Sequence, residues 1–373
     1  MKKWIWPLLV IFFLLGGLAV ILIGQVTFPR EAQASVEEIS DKWSESAHAD
    51  SEAEAFTHWD EDDPAEVPAN CAKCHSGFGY LDYLGEDGSQ AGIVDTAAQT
   101  GLTITCNVCH NTTAHEIETV VYPSGAEIDS LGVTANCAEC HQGTRAGTDV
   151  ETATTDLPED TVNDALSFIN VHYYIGGAVR FGSEVTVGYE YPEMNYAGFY
   201  PHVEDYQYCT DCHDPHSLEI TPSECAACHP AVSDYSDLVN IRVEGTPDYD
   251  GDGDTSEGVY GELSTIHAIL YTAIQQYASD VIGEPILYSD SYPYWFNDSN
   301  RNGIAEADEI NFGNQYGSWT PRLLKAAYNY HLVLEDPGGF MHNASYLIQL
   351  MVDGIADLSV ASPIEIAELI RPE

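Results

Sequence analysis

Residues 209–229 read CTDCHDPHSLEITPSECAACH, and their reading decides what builds the core of this chain. Cys-x-x-Cys-His occurs twice there, at Cys209, Cys212 and His213 and at Cys225, Cys228 and His229, with His216 between the copies. Three more copies stand upstream: Cys71, Cys74 and His75; Cys106, Cys109 and His110; Cys137, Cys140 and His141. The five copies use all ten cysteines. Two thiols placed to add to vinyl groups, followed at once by an imidazole that reaches the iron, form the attachment signature of haem c. Zinc ribbons pair their Cys-x-x-Cys units, and five is an odd number of units. Disulfides would not require a histidine after every second cysteine. The motifs therefore imply five covalent haems, each with one axial position filled.

Five irons leave five axial positions open, and nine of the 14 histidines lie outside the motifs. Ligation by two histidines at every iron is thus chemically available. His216 follows Pro215 directly after the fourth motif, and the short chain to Cys225 holds it near two haems. His172, in NVHYYIGGAV, and His202, in FYPHVEDY, lie in an aromatic, glycine-bearing segment that must thread among the haems. His48 and His58 precede the first motif, and one of them is expected to bind an iron, with His48 preferred. His342 follows the helix break Asp336-Pro337-Gly338-Gly339, which can aim it at the core. His115 is a weaker candidate, while His267 and His331 fall within helical patterns and read as buried, hydrogen-bonded histidines.

Covalent haem attachment of this kind takes place outside the cytoplasm, so the chain is expected to be exported. After Lys2 and Lys3, an uncharged apolar run extends from Trp4 to about Phe28. It is long enough to span a bilayer, for which roughly 20 residues suffice. A cleavable signal has an apolar core of only about 7 to 15 residues. The length favours a retained anchor, although Ala32-Gln33-Ala34 offers a cleavage site after Ala34. By the positive-inside rule the two lysines stay in the cytoplasm and the remainder lies outside, in the periplasm or at the cell surface.

With 60 acidic against 12 basic residues the formal charge is -48, which makes nucleic acid and anionic membrane surfaces poor partners. The acid excess reads as a solvated surface, or as recognition of a basic redox partner. Three regions follow: residues 1–34 as anchor or signal, 35–235 as a pentahaem region, and 236–373 as a cysteine-free helical tail. The expected fold is mostly α with long irregular loops, because the haems supply much of the apolar core. The leading acidic segment, SVEEISDKWSESAHADSEAEAFTHW, reads as helical, ETATTDLPEDTVND as a surface loop, and Glu184 to Tyr191 as a possible strand. In the tail, helices are predicted over about 257–279, from Thr320 as N-cap with Pro321 in the first helical position, and over about 344–358.

Two acidic loops suit calcium, a hard cation that takes oxygen ligands at alternate positions. DSNRNGIAEADE satisfies the whole EF-hand pattern, with Asp298, Asn300 and Asn302, the carbonyl of Ile304, Glu306 through water, and Glu309 as the bidentate ligand. DYDGDGDTSEG begins alike with Asp248, Asp250, Asp252 and Asp254. Val259 stands where the bidentate glutamate belongs, so Glu257 or Glu262 would have to replace it.

The chain resembles the polyhaem membrane-associated cytochromes c over nearly everything after residue 45. The resemblance is carried by AHADSEAEAFTHWDEDDP before CAKCH, CHQG after the third motif, NVHYYIGGA, CHDPHSLE, DYDGDGDTSEGVY and WTPRLLKAAYNY. It implies covalent haems and electron transfer at the cell envelope, between membrane donors and external acceptors. The AAYNYH and DPGGFMHN stretches also distantly resemble multihaem nitrite and hydroxylamine enzymes, but no Cys-x-x-Cys-Lys motif is present. The alternative to a carrier is therefore a reductase of nitrite, hydroxylamine or a sulfur oxyanion at one five-coordinate haem. Arg145, Arg180 and Arg242 are its available anion-binding cations. Redox partner proteins are expected under either reading, and assembly into a homo-oligomer or filament is compatible with the sequence.

Overall fold

The computed structural model describes residues 34–203, 206–364 and 368–373. The predicted anchor from Trp4 to about Phe28 lies outside them. Short helices joined by long loops dominate the first two thirds of the described chain, and three long helices dominate the last. Among the described residues, strands are confined to three antiparallel pairs: Glu66–Val67 with Ala98–Gln99, Val120–Val121 with Glu127–Ile128, and Ile286–Tyr288 with Trp295–Asn297.

The long helices are α1 (Val259–Tyr277), α2 (Pro321–Leu334) and α3 (Ala344–Ala361). Sequence signals explain their ends. Thr320 accepts a hydrogen bond from the Leu323 N–H at 3.2 Å, and Pro321 occupies the position where a missing N–H costs nothing. Asn343 caps α3 through the Tyr346 N–H. A π turn, Ala278–Ile282, extends α1 to Gly283, whose φ of 83° only glycine adopts freely. Helix α3 is long and apolar enough to cross a bilayer, yet it packs against α1 and α2 as a core helix.

Helix α2 is buried all round from Pro321 to Val333, polar residues included. Each buried polar group has a partner, as burial requires. Arg322 pairs with Asp160 and Asp357, and Lys325 with Glu159. His331 bonds to Asn170 and Tyr288. These contacts clamp residues 159–191 onto the tail, and one hydrophobic cluster takes in Val120 to Tyr191 together with the three long helices.

The possible strand from Glu184 to Tyr191 does not form. Its alternation is real, since Val185, Val187, Tyr189 and Tyr191 are all buried. However, Gly182–Glu184 is a 3-10 turn and Thr186 has φ 49°. The segment's backbone bonds to side chains instead of to another strand. Gly188 donates to Tyr346 Oη, Tyr191 donates to Tyr196 Oη, and Val187 O accepts from Tyr328 Oη. Asn329, fully buried, acts as a surrogate strand residue, accepting from Tyr189 N at 2.8 Å and donating to Tyr189 O at 2.9 Å. Asn329→Ala strands both groups and is expected to cost about 2 to 3 kcal/mol in a denaturant titration followed by far-ultraviolet circular dichroism. A loss below about 0.5 kcal/mol would contradict this role. Two loop expectations are also adjusted. Helix Gly147–Thr154 takes in the start of the ETATTDLPEDTVND stretch, and the leading acidic segment splits into helices Val36–Ser44 and Glu54–Thr57.

The motif-bearing parts contrast with this packed tail. Their own apolar clusters are small: Tyr80, Leu84, Val108 and Ala114 in one, Val67, Ala72 and Ala98 in another. Among the described residues from 192 to 231, which carry two motifs, no apolar side chain is buried. Chain of that length without a core needs another source of apolar contact.

Candidate functional site: imidazoles facing imidazoles

Each motif forms a tight turn or short helix that presents its histidine at the end. The His110, His141, His213 and His229 N–H groups bond back to the carbonyl of the first cysteine of their own motif. In three motifs the ring is oriented further, because Nδ1 donates to a backbone carbonyl: His75 to Ala55 O at 2.8 Å, His141 to Tyr174 O at 2.9 Å and His213 to Leu218 O at 2.9 Å. A carbonyl can only accept, so these bonds fix the tautomer and leave Nε2 free as a ligand.

Each motif ring has another imidazole beside it. His75 lies 5.7 Å from His172 between ring centroids, with the two Nε2 atoms 3.4 Å apart. His110 lies 6.1 Å from His216 with the rings nearly parallel, at 10°. His141 lies 6.2 Å from His48, His213 lies 6.4 Å from His342, and His229 lies 6.3 Å from His202. Two imidazoles on opposite faces of one iron, each at a metal–nitrogen distance of about 2 Å, hold their centres roughly 6 Å apart. The donor set and its spacing thus fit haem, and the coreless chain around two motifs fits it as well.

Burial disfavours the charged form of three candidate ligands. Burial pulls His48 and His172 down to about 4, with His141 and His75 adding to the effect. Burial also lowers His202. His172 and His202 sit at positive φ, 82° and 47°, an unusual conformation for histidine that is held by its surroundings and concentrates at functional sites. His342 differs from the others in its support, since its Nδ1 contacts both Asp336 oxygens at 2.8 Å. Burial opposes a charge on that ring, but Asp336 outweighs it and raises the imidazole above its ordinary value. Two glycines make room for it: a Cβ on Gly176 or Gly338 would lie 2.6 or 2.8 Å from His342 Cε1. Asp336 was not singled out from sequence, although its place six residues before His342, at a helix break, was a usable signal.

The remaining histidines are placed differently. His58 is exposed, bonds to Glu54 and stands edge-on to Trp59. His115 lies 6.2 Å from His110, a second neighbour of that ring. His267 stacks on Tyr330 at 4.0 Å and bonds its carbonyl, and His331 is buried in the tail. Arg145 bonds to Asp149 and Arg242 to Glu262, while Arg180 donates to Gln207 O and lies over Phe199.

The motifs are also neighbours of one another. Cys140 Sγ lies 3.8 Å from Lys73 O inside the first motif, and Cys209 N donates to Thr134 Oγ1 at 3.1 Å, three residues before Cys137, linking the first motif to the third and the third to the fourth. Asn136 donates to Cys109 Sγ at 3.2 Å, which brings the second motif to the same place.

Both acidic loops are turned for oxygen donors. In the loop 298–309, Asp298 accepts from the Asn302 and Gly303 N–H groups, Asn300 from Asn302 and Asn302 from Ile304. Glu309 Oε1 accepts from Ser299, its Oε2 is buried without a partner, and Glu306 is bonded by Asn300. In the other loop, Asp248, Asp250 and Asp252 converge, and Asp250, Glu257 and Glu262 converge on the same aspartate, whereas Asp254 turns to Ser256.

Five Cys-x-x-Cys-His motifs, each with a second imidazole near its histidine, are the pattern of multihaem c-type cytochromes, and the similarities found to known proteins point the same way. The chain is similar to the C-type polyheme cytochromes OmcB and OmcC of Geobacter sulfurreducens. It is 26% identical to OmcB over 364 residues, covering 82% of this chain and 46% of that protein, and 26% identical to OmcC over 367 residues, covering 82% and 44%. The chain spans about half the length of the curated relatives it matches. No protein-family model matches it, and neither does any solved structure.

Proposed function

We propose that the chain is an extracytoplasmic electron carrier that holds five covalent haems, each between two histidines, and passes electrons between redox partners at the cell envelope. The observation that carries this reading is the pairing of every motif histidine with a different second histidine: His75 with His172, His110 with His216, His141 with His48, His213 with His342 and His229 with His202. Bound haem would supply a one-electron couple at each pair. The chain's own residues would do the rest. The thiols anchor, the Nδ1 bonds orient the rings, and two imidazoles per site exclude water and small ligands from the iron. The contacts among the first four motifs support electron passage between neighbouring sites. The apolar run from Trp4 to about Phe28 supports attachment to the membrane. A reductase would need a motif histidine without an opposing imidazole, and each of the five has one.

Intact mass after acid and organic-solvent treatment is expected to exceed the polypeptide by five haem groups. The oxidised protein is expected to give low-spin ferric resonances, with little binding of carbon monoxide after reduction. Four or fewer haems in mature protein would refute the count. A strong high-spin resonance with rapid reduction of nitrite or hydroxylamine would transfer the case to the reductase.

A further inference from the structure

We infer that residues 248–262 form a calcium site whose ligand cage is closed from the first turn of α1, and that the ion fastens the haem-bearing region to the helical tail. This goes beyond electron transfer and does not depend on it. The loop departs from the EF-hand pattern at Val259, which begins α1. Folding compensates by bringing two other glutamates to the loop. Asp248, Asp250 and Asp252 have carboxylate oxygens within 4.8 Å of one another, and so do Asp250, Glu257 and Glu262. Asp250 belongs to both sets and so marks the centre.

An acidic cluster alone is no site, but here the central ligand is buried and incomplete. Asp250 is 1% exposed, and its Oδ2 has no hydrogen-bond partner. Thr265 approaches the same carboxylate without closing on that oxygen. Glu257 Oε1 is likewise buried and unpartnered. A buried carboxylate oxygen without a donor is costly unless a cation meets it. The other oxygens are held by the chain in a preformed turn: Asp248 accepts from Gly251 and Gly253, Asp250 Oδ1 from Asp252, and Asp252 from Asp254. Gly251 and Gly253, at φ 71° and 93°, permit the turn.

Arg242 is the alternative source of positive charge, and its bonds go to Glu262 and to backbone carbonyls, not to the Asp250 carboxylate. Its guanidinium pairs with Glu262 Oε1 and donates to the carbonyls of Glu257, Thr246 and Pro247. Glu262 Oε2 accepts from the Asp250 N–H at 2.9 Å, which ties the helix to the loop. Oxygen-only donors, several of them carboxylates, suit calcium better than magnesium, which demands a near-octahedral shell and keeps its waters.

The loop stands at a junction. Val259 donates to Ile241 O, just beyond the turn Tyr235–Asn240 that follows the fifth motif. On its other side, Ile370 donates to Tyr249 O at 2.8 Å, and Gly251 packs so closely on Glu368 that a Cβ would lie 2.6 Å from its carbonyl oxygen. An ion here would join the end of the haem-bearing region, the start of α1 and the C-terminal residues.

The test uses the full haem-loaded chain, stripped with chelator and titrated with calcium chloride by calorimetry, in a Glu309→Gln background that disables the loop 298–309. One ion is expected to bind and to raise the melting temperature without changing haem content. Asp250→Asn is expected to lower the affinity at least tenfold. Asp252→Asn, on the exposed arm of the loop, is expected to weaken binding with the fold intact, so a misfolded Asp250 variant does not end the test. No calcium uptake by the parent, or equal uptake by parent and Asp252→Asn, would overturn the site.

Discussion

His216→Ala is expected to convert one haem in five to the high-spin or water-bound state, while His115→Ala leaves all five low-spin. The two histidines compete for one position by distance alone, their rings standing 6.1 and 6.2 Å from His110. Ring angle does not separate them, since His75 and His172 pair at 73°, but chain position does: His115 lies in the short helix Thr112–Glu116 directly after the second motif, on the same stretch of chain as His110, whereas His216 comes from a separate segment. His216 is also braced: its N–H and that of Ser217 both bond to Asp214 Oδ1, and Lys42 pairs with Asp214 through Oδ2. Magnetic resonance of the oxidised variants reads the outcome directly, and carbon monoxide binding to the reduced form provides a second measure. Haem content should stay at five, because the motif cysteines and His110 remain. High-spin iron in His115→Ala with none in His216→Ala would reverse the assignment; high-spin iron in neither would make His216 structural.

What could be read from the chain divides along the range of the interactions. The Cys-x-x-Cys-His motif is local chemistry, so the candidate attachment residues are legible at once. The second histidine is a long-range matter, and sequence distance misdirects. His216 sits between the fourth and fifth motifs yet faces His110 of the second, and His48 passes over the first motif to face His141 of the third. The set of six candidates nevertheless contained all five paired histidines, because composition limits supply. His58, the sixth, points to Glu54 at the surface. Helix ends at Thr320 and Asn343 follow capping chemistry that acts within one turn, and α2 was legible for that reason. The alternation of Val185, Val187, Tyr189 and Tyr191 reported burial correctly but not the partner. A helix carrying Asn329 took the place of a neighbouring strand, which no local pattern encodes. The same holds for the 248–262 loop, where Val259 announces a missing ligand and only the fold supplies Glu257 and Glu262.

Asp336→Asn is expected to raise the midpoint potential of one haem, the one held by His213 and His342, by on the order of 60 mV, the shift that matches a tenfold change in preference between ferric and ferrous iron for one electron. The sign follows from charge. The buried Asp336 carboxylate contacts His342 Nδ1 at 2.8 Å, pulls the ring's proton toward itself and makes Nε2 a stronger donor, which favours the more positive ferric ion. At His75, His141 and His213 the acceptor on Nδ1 is a neutral backbone carbonyl, so the same push is weaker there. Asparagine retains an oxygen for the Gly338 N–H, which Asp336 Oδ1 accepts at 3.2 Å, so the turn that carries His342 keeps its support and only the charge is removed. A spectroelectrochemical titration should therefore show one component of the five displaced upward and the rest unmoved, with Asp336→Glu restoring most of the difference. Superposable curves for wild type and Asp336→Asn would reduce Asp336 to a turn residue. A shift spread over all five haems would mean that the substitution had loosened the fold instead of altering one ligand.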